Sequence, residues 1–104
     1  MSKQKEIVEK SVKEVEDVVE LFYQQKLQEA LAKFEVVIGG MMTAIDALFT
    51  FRAEHEEFNL DEVKITSTLK DAMGALQDGD MVLLADILQY DYLEYMHELL
   101  DNME

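Results

Sequence analysis

An all-α fold, an antiparallel up-down four-helix bundle in one domain of residues 1–104, is what this sequence predicts, on three observations. Proline is absent and only four glycines occur, so the turn signals that strands need at short intervals are missing. The apolar fraction is 49% and the charged fraction 31%, the balance of a globular chain and not of a disordered one. Apolar residues recur at helical spacing in four runs, which places helices at about 3–23, 27–57, 61–77 and 81–102.

In the first run Val8, Val12, Val15, Val19 and Phe22 fall at steps of four and three, the spacing of a packed helical seam. Glu6 with Lys10 and Glu9 with Lys13 are i,i+4 pairs for the outer face. The seam then skips a step across Tyr23-Gln24-Gln25-Lys26, where no breaker residue stands. A turn near Gln24–Lys26 is favoured over one at Gly39-Gly40, because Leu27, Phe34, Ile38, Met41, Ile45 and Leu48 then form one stripe through the glycines.

The stretch Phe34 to Phe51 is expected to organise the molecule. Its charges are Glu35 and Asp46, and apolar residues lie all round its helical wheel. A helix apolar on every side has to be covered on every side, which predicts a central rod clad by the others. Gly39 and Gly40 inside it suggest close approach by another backbone, since glycine there otherwise costs ~1 kcal/mol relative to alanine. The run is slightly short for a membrane span and holds Asp46, so a buried core helix is the expectation.

For the third helix Asn59, three residues before Glu62, reads as cap and capping box. Val63, Leu69, Ala72, Met73 and Leu76 are its expected apolar face, with Thr68 and Asp71 an alternative start. Gly79 suits a left-handed C-terminal residue and Asp80 the next N-cap. In the last helix Met81, Leu84, Leu88, Tyr92, Tyr95 and Leu99 make the seam, widened by Ala85, Met96 and Leu100. Met41, Met42, Met73, Met81 and Met96 are assigned to the core.

The net charge is −14, and it is uneven: residues 54–104 carry two basic against fourteen acidic side chains. Nucleic acid and anionic membranes would be repelled, so neither is an expected partner, and the second half calls for a basic or amphipathic protein. Cysteine is absent, which removes disulfides and thiolate metal sites and fits a reducing compartment. Lys and Glu alternate at the N-terminus where a signal peptide needs an apolar core, so a cytoplasmic location is expected.

The segment DGDMVLLADILQYDYLEYM at residues 78–96 carries Asp80, Val82, Leu83, Leu84, Ala85, Asp86, Leu88, Tyr90 and Asp91 in an Asp-x-Val-Leu-Leu-Ala-Asp-x-Leu-x-Tyr-acidic pattern. It resembles the last helix of a family of small uncharacterised bacterial helical proteins, and YQQKLQEALAKFEVVIGG at residues 23–40 resembles the start of that family's second helix. The resemblance implies a helical fold with a turn near Gln24–Lys26, and no activity.

Glu94-x-x-His97 is half of a di-metal carboxylate site. The up-down order brings the ends of helices two and four together, and with them Glu54 and His55 toward Glu94 and His97. The second Glu-x-x-His is missing, since Arg52 stands three residues before His55, so neither metal nor cofactor is expected and a metal-dependent enzyme is only the alternative. Glu54-x-x-Glu57 and Glu98-x-x-Asp101 resemble the acidic pairs of helical nucleotide pyrophosphatases, but no Lys or Arg adjoins them to hold phosphate. No Ser or Cys nucleophile is paired with a base. The stripe Asp86, Tyr90, Glu94, His97 and Asp101 lies off the core seam and is the expected interaction face. Glu98, Asp101 and Glu104 place acid at a helix C-terminus, where the dipole disfavours it. The function read from these residues is non-catalytic protein–protein interaction, as an adaptor or small chaperone-like binder and as a homodimer, with a secretion or flagellar export chaperone as a further alternative.

Overall fold

In the computed structural model, which describes residues 2–103, Ser2 opens α1 (Lys3–Tyr23) by accepting the Lys5 N–H at 3.0 Å. This satisfies one of the donors that every helix start leaves unpaired. The joint after α1 is a Schellman turn. Gln25 takes a left-handed φ of 61°, its N–H donates to Phe22 O, and the Lys26 N–H reaches back to Leu21 O. A glutamine stands where glycine is usual, and the turn forms nonetheless at the place preferred over the glycine pair.

From there α2 (Leu27–Glu54) runs 28 residues, three short of its expected end. Its C-terminus is tied to the loop and helix beyond it. Arg52 pairs with Glu62 at 2.7 Å, and Phe51 takes His55 face to face at 4.0 Å and Phe58 edge-on at 4.8 Å. The start of α3 (Glu62–Gln77) is capped by Asp61, which accepts the Lys64 N–H, and not by Asn59. Both residues can cap. Asp61 does so while its own N–H donates to the Tyr95 hydroxyl at 2.8 Å, a tie from the last helix that no local pattern announces.

A second Schellman turn closes α3. Gly79 lies at φ 73° and the Asp80 N–H bonds to Ala75 O. Asp80 then caps the fourth rod by accepting the Leu83 N–H at 3.0 Å. That rod is not α-helical throughout. It consists of α4 (Met81–Asp86), a π-helical segment over Ile87–Leu93 and α5 (Glu94–Asp101). No strand occurs among the described residues, so the all-α four-helix bundle stands.

Apart from Met81, which is only partly covered, the expected seams of the first and fourth rods are buried in the core. Val8, Val15, Leu84, Leu88 and Leu99 are at most 1% exposed, and burying each such side chain contributes on the order of 2 kcal/mol.

The expected centre is not the centre. α1 makes close backbone approaches to α2 and to all three parts of the fourth rod, whereas α2 makes them to α1 alone. Across α2, Phe34, Val37, Met41 and Leu48 are buried, but Val36 is 75% and Met42 47% exposed. The causes are length and spacing. With a rise of about 1.5 Å per residue, α2 spans about 42 Å and α3, of 16 residues, about 24 Å. Starting beside Arg52 and reaching Met41 and Met42 with Leu69 and Met73, α3 leaves about 18 Å of α2 toward Leu27 without a neighbour, and where it does run alongside its backbone stays away from that of α2.

Two smaller expectations fail for related reasons. Gly40 is approached by side chains and not by backbone: a Cβ there would lie 3.0 Å from Glu14 Oε1, while Gly39 has open space. On α3 the buried residues are Ile65, Thr68, Ala72 and Ala75. Val63 and Met73 are exposed, and Leu69 and Leu76 are only partly covered, so Met42 and Met73 are not core residues.

Candidate interaction face

The five residues of the expected stripe lie along the seam where the fourth rod meets α1. Asp86 comes first, half-buried at the end of α4. Its Oδ1 accepts the Tyr23 hydroxyl at 2.6 Å, across 63 residues of chain. Partial desolvation, then this hydrogen bond and the charge of Asp86, then Tyr90, push the Tyr23 phenol up to about 12.

Tyr90 sits in the middle of the π-helical segment and is 60% exposed. Such segments replace i→i+4 bonding by i→i+5, which widens the turn, and they occur often at functional sites. With Val82 and Leu83, also exposed, and Tyr23, Tyr90 forms an apolar and aromatic surface set among carboxylates.

Further along, the stripe changes character. His97 Nε2 donates to Glu16 Oε2 on α1 at 3.0 Å, and His97 and Asp101 line a recess of about 540 Å³ with Lys5, Glu9 and Lys13. Glu94 is exposed, and Glu104 lies outside the described residues.

The ends of α2 and α5 do come together, around a recess of about 440 Å³ lined by Phe51, His55, Phe58 and Asn102. His97 is not in it. The two imidazoles line different recesses, and His55 Nδ1 donates to Phe51 O at 3.0 Å. Among the described residues no three His, Asp or Glu side chains come together as a metal would need.

Two buried hydroxyls complete the seam. Ser11 Oγ on α1 and the Tyr92 hydroxyl lie close to each other and have no other hydrogen-bond partner among the described residues. Burial pushes Tyr92 up to about 12, moderated by nearby Ser11.

A family model described as a domain of unknown function (DUF8042) matches residues 1–102. The chain belongs to this family. The match runs from the first residue through α5, well beyond the two segments whose pattern resembles a helical family. No curated protein matches the chain, and no solved structure does.

Tyr23 is the member of the face that sequence reasoning missed. It lies one position beyond the α1 seam, and nothing local marks Asp86 as its partner. α2 is also long and apolar enough to cross a membrane by length and composition, with a window of mean hydropathy 1.5 that is 44% buried inside the fold.

Proposed function

We propose that this protein is a non-catalytic protein–protein interaction module, a cytoplasmic adaptor or small chaperone-like binder. Its docking surface is the acidic, aromatic face around Tyr90. The observation that carries the reading is Tyr90 itself, largely exposed on a widened helical turn beside exposed Leu83 and the Tyr23–Asp86 pair. Large aromatics with a polar tip are the residues that anchor interfaces. The half of the chain that bears it carries fourteen acidic against two basic side chains, which selects a basic or amphipathic partner and speeds encounter with it. The protein also binds itself.

A photo-crosslinking amino acid in place of Tyr90, compared with one in place of Gln28, tests this in the host cell. A discrete adduct from position 90 that weakens with salt and is reduced by Leu83→Ser is expected. Adducts equal at both positions, or none at position 90, overturn the reading.

A further inference from the structure

We propose that the recess where the ends of α2 and α5 meet binds a small organic cation, a primary ammonium group carried on a short alkyl chain. The recess, of about 440 Å³, is lined by Phe51, His55, Glu57, Phe58, Asn59 and Asn102, and its size is that of small-molecule sites. Phe51 and Phe58, both buried and packed edge to face, give it an apolar wall for the carbon chain. Acceptors line the rest. His55 donates its Nδ1 proton to Phe51 O, so the neutral ring keeps its lone pair on Nε2. Asn102 donates an amide N–H to Glu98 O, which leaves its Oδ1 to accept, and Glu57 adds a carboxylate. An ammonium group brings three N–H donors to such a set.

Electrostatics sets the sign of the ligand. His55 and Asn102 are the C-caps of α2 and α5, so two helix ends meet here, each carrying about half a negative charge from its unsatisfied carbonyls. Glu57 stands in the same wall, and among the described residues neither Lys nor Arg lines it. The basic residues that flank this segment in the chain are engaged elsewhere: Arg52 with Glu62 and over the Phe49 ring, Lys64 over the Tyr95 ring. A metal ion does not suit the recess, because among the described residues no three His, Asp or Glu side chains come together. The walls are set in advance. The Arg52–Glu62 pair and the bond from the Asp61 N–H to the Tyr95 hydroxyl hold the loop that bears Glu57 and Asn59, and a preformed site binds at less cost in ordering. None of the lining residues belongs to the face around Tyr90, and the two surfaces stand or fall separately.

Titration of the full chain with 1,4-diaminobutane, followed by the imidazole and side-chain amide resonances, tests the proposal. Salt at about 0.15 M screens the diffuse field of the −14 chain beyond about 8 Å. One saturable site is expected, with shifts at His55, Asn59 and Asn102 and none at His97. Glu57→Gln, at an exposed position, weakens binding at least fivefold, whereas Glu35→Gln, which removes the same charge from an exposed position in mid-α2, changes it less than twofold. Uncharged 1,4-butanediol does not bind. A free diamine and a lysine side chain share the alkylammonium group, and N-acetyl-lysine methylamide run in parallel separates these sources: binding at least tenfold weaker marks a free amine, equal binding a lysine side chain, and either upholds the site. Shifts that grow without saturating, equal losses from Glu57→Gln and Glu35→Gln, binding of the diol, or saturation of the same resonances by magnesium overturns it.

Discussion

The Tyr23 hydroxyl and the Asp86 carboxylate, 2.6 Å apart, join the last turn of α1 to the entry of the π-helical segment. Tyr23 is pushed up to about 12, and so is buried Tyr92. Between pH 10 and 12 an unfolded chain has released these phenolic protons while the folded one keeps them. The unfolded state then binds fewer protons, so stability falls as pH rises through this window. Denaturant titrations at pH 8, 10 and 11.5 should show the decline beginning above pH 10. Asp86→Asn should lower the Tyr23 midpoint, read by tyrosinate absorbance, without returning it fully to 10, because desolvation is the larger cause.

Gln25, at φ 61°, occupies a backbone region that disfavours a side chain. Gln25→Gly should therefore stabilise the fold by about 1 kcal/mol. Gly79 lies at φ 73°, and Gly79→Ala should cost a similar amount. Gly39 lies mid-helix with open space at its Cβ position, so Gly39→Ala should add ~1 kcal/mol. Thermal melts of the three variants check the signs.

These positions show what the chain discloses of its fold. The rods at both ends are legible because one apolar face repeats without interruption, from Val8 to Phe22 and from Leu84 to Leu99. The bareness of Met42 is not legible, because it depends on how closely α3 packs against α2. The π-helical segment has no residue signature, since its hydrogen bonds are backbone ones. Asp86 and Tyr90 stand out by chemistry, while Tyr23 joins them only through contact between rods.

The buried hydroxyls of Ser11 and Tyr92 lie close to each other and have no other partner among the described residues. Replacing both leaves no polar atom buried alone, so the Ser11→Ala, Tyr92→Phe double variant should be neutral or stabilising by up to ~1 kcal/mol, whereas Ser11→Ala alone, which isolates the Tyr92 hydroxyl, should cost about 1 kcal/mol. Leu88→Ala, at a fully buried site, should cost about 2–5 kcal/mol by the cavity it leaves. Urea unfolding of the three variants provides the comparison.

The loop over residues 55–61 is held to the last helix by the bond from the Asp61 N–H to the Tyr95 hydroxyl. Tyr95→Phe should cost about 1 kcal/mol and speed hydrogen exchange at Asp61. The Arg52–Glu62 pair is largely solvated, so Arg52→Ala should cost less than about 1 kcal/mol through that pair.

The widened turn over Ile87–Leu93 holds about one residue more than an α-helix of the same rise would. A homologue lacking a single residue here could close the same bundle with a regular rod, its buried side chains still in register on both sides. What it would lose is the widened turn on which Tyr90 stands exposed. Insertion or loss of one residue at this point would thus be an economical way for relatives to gain or give up a contact while leaving the interior untouched.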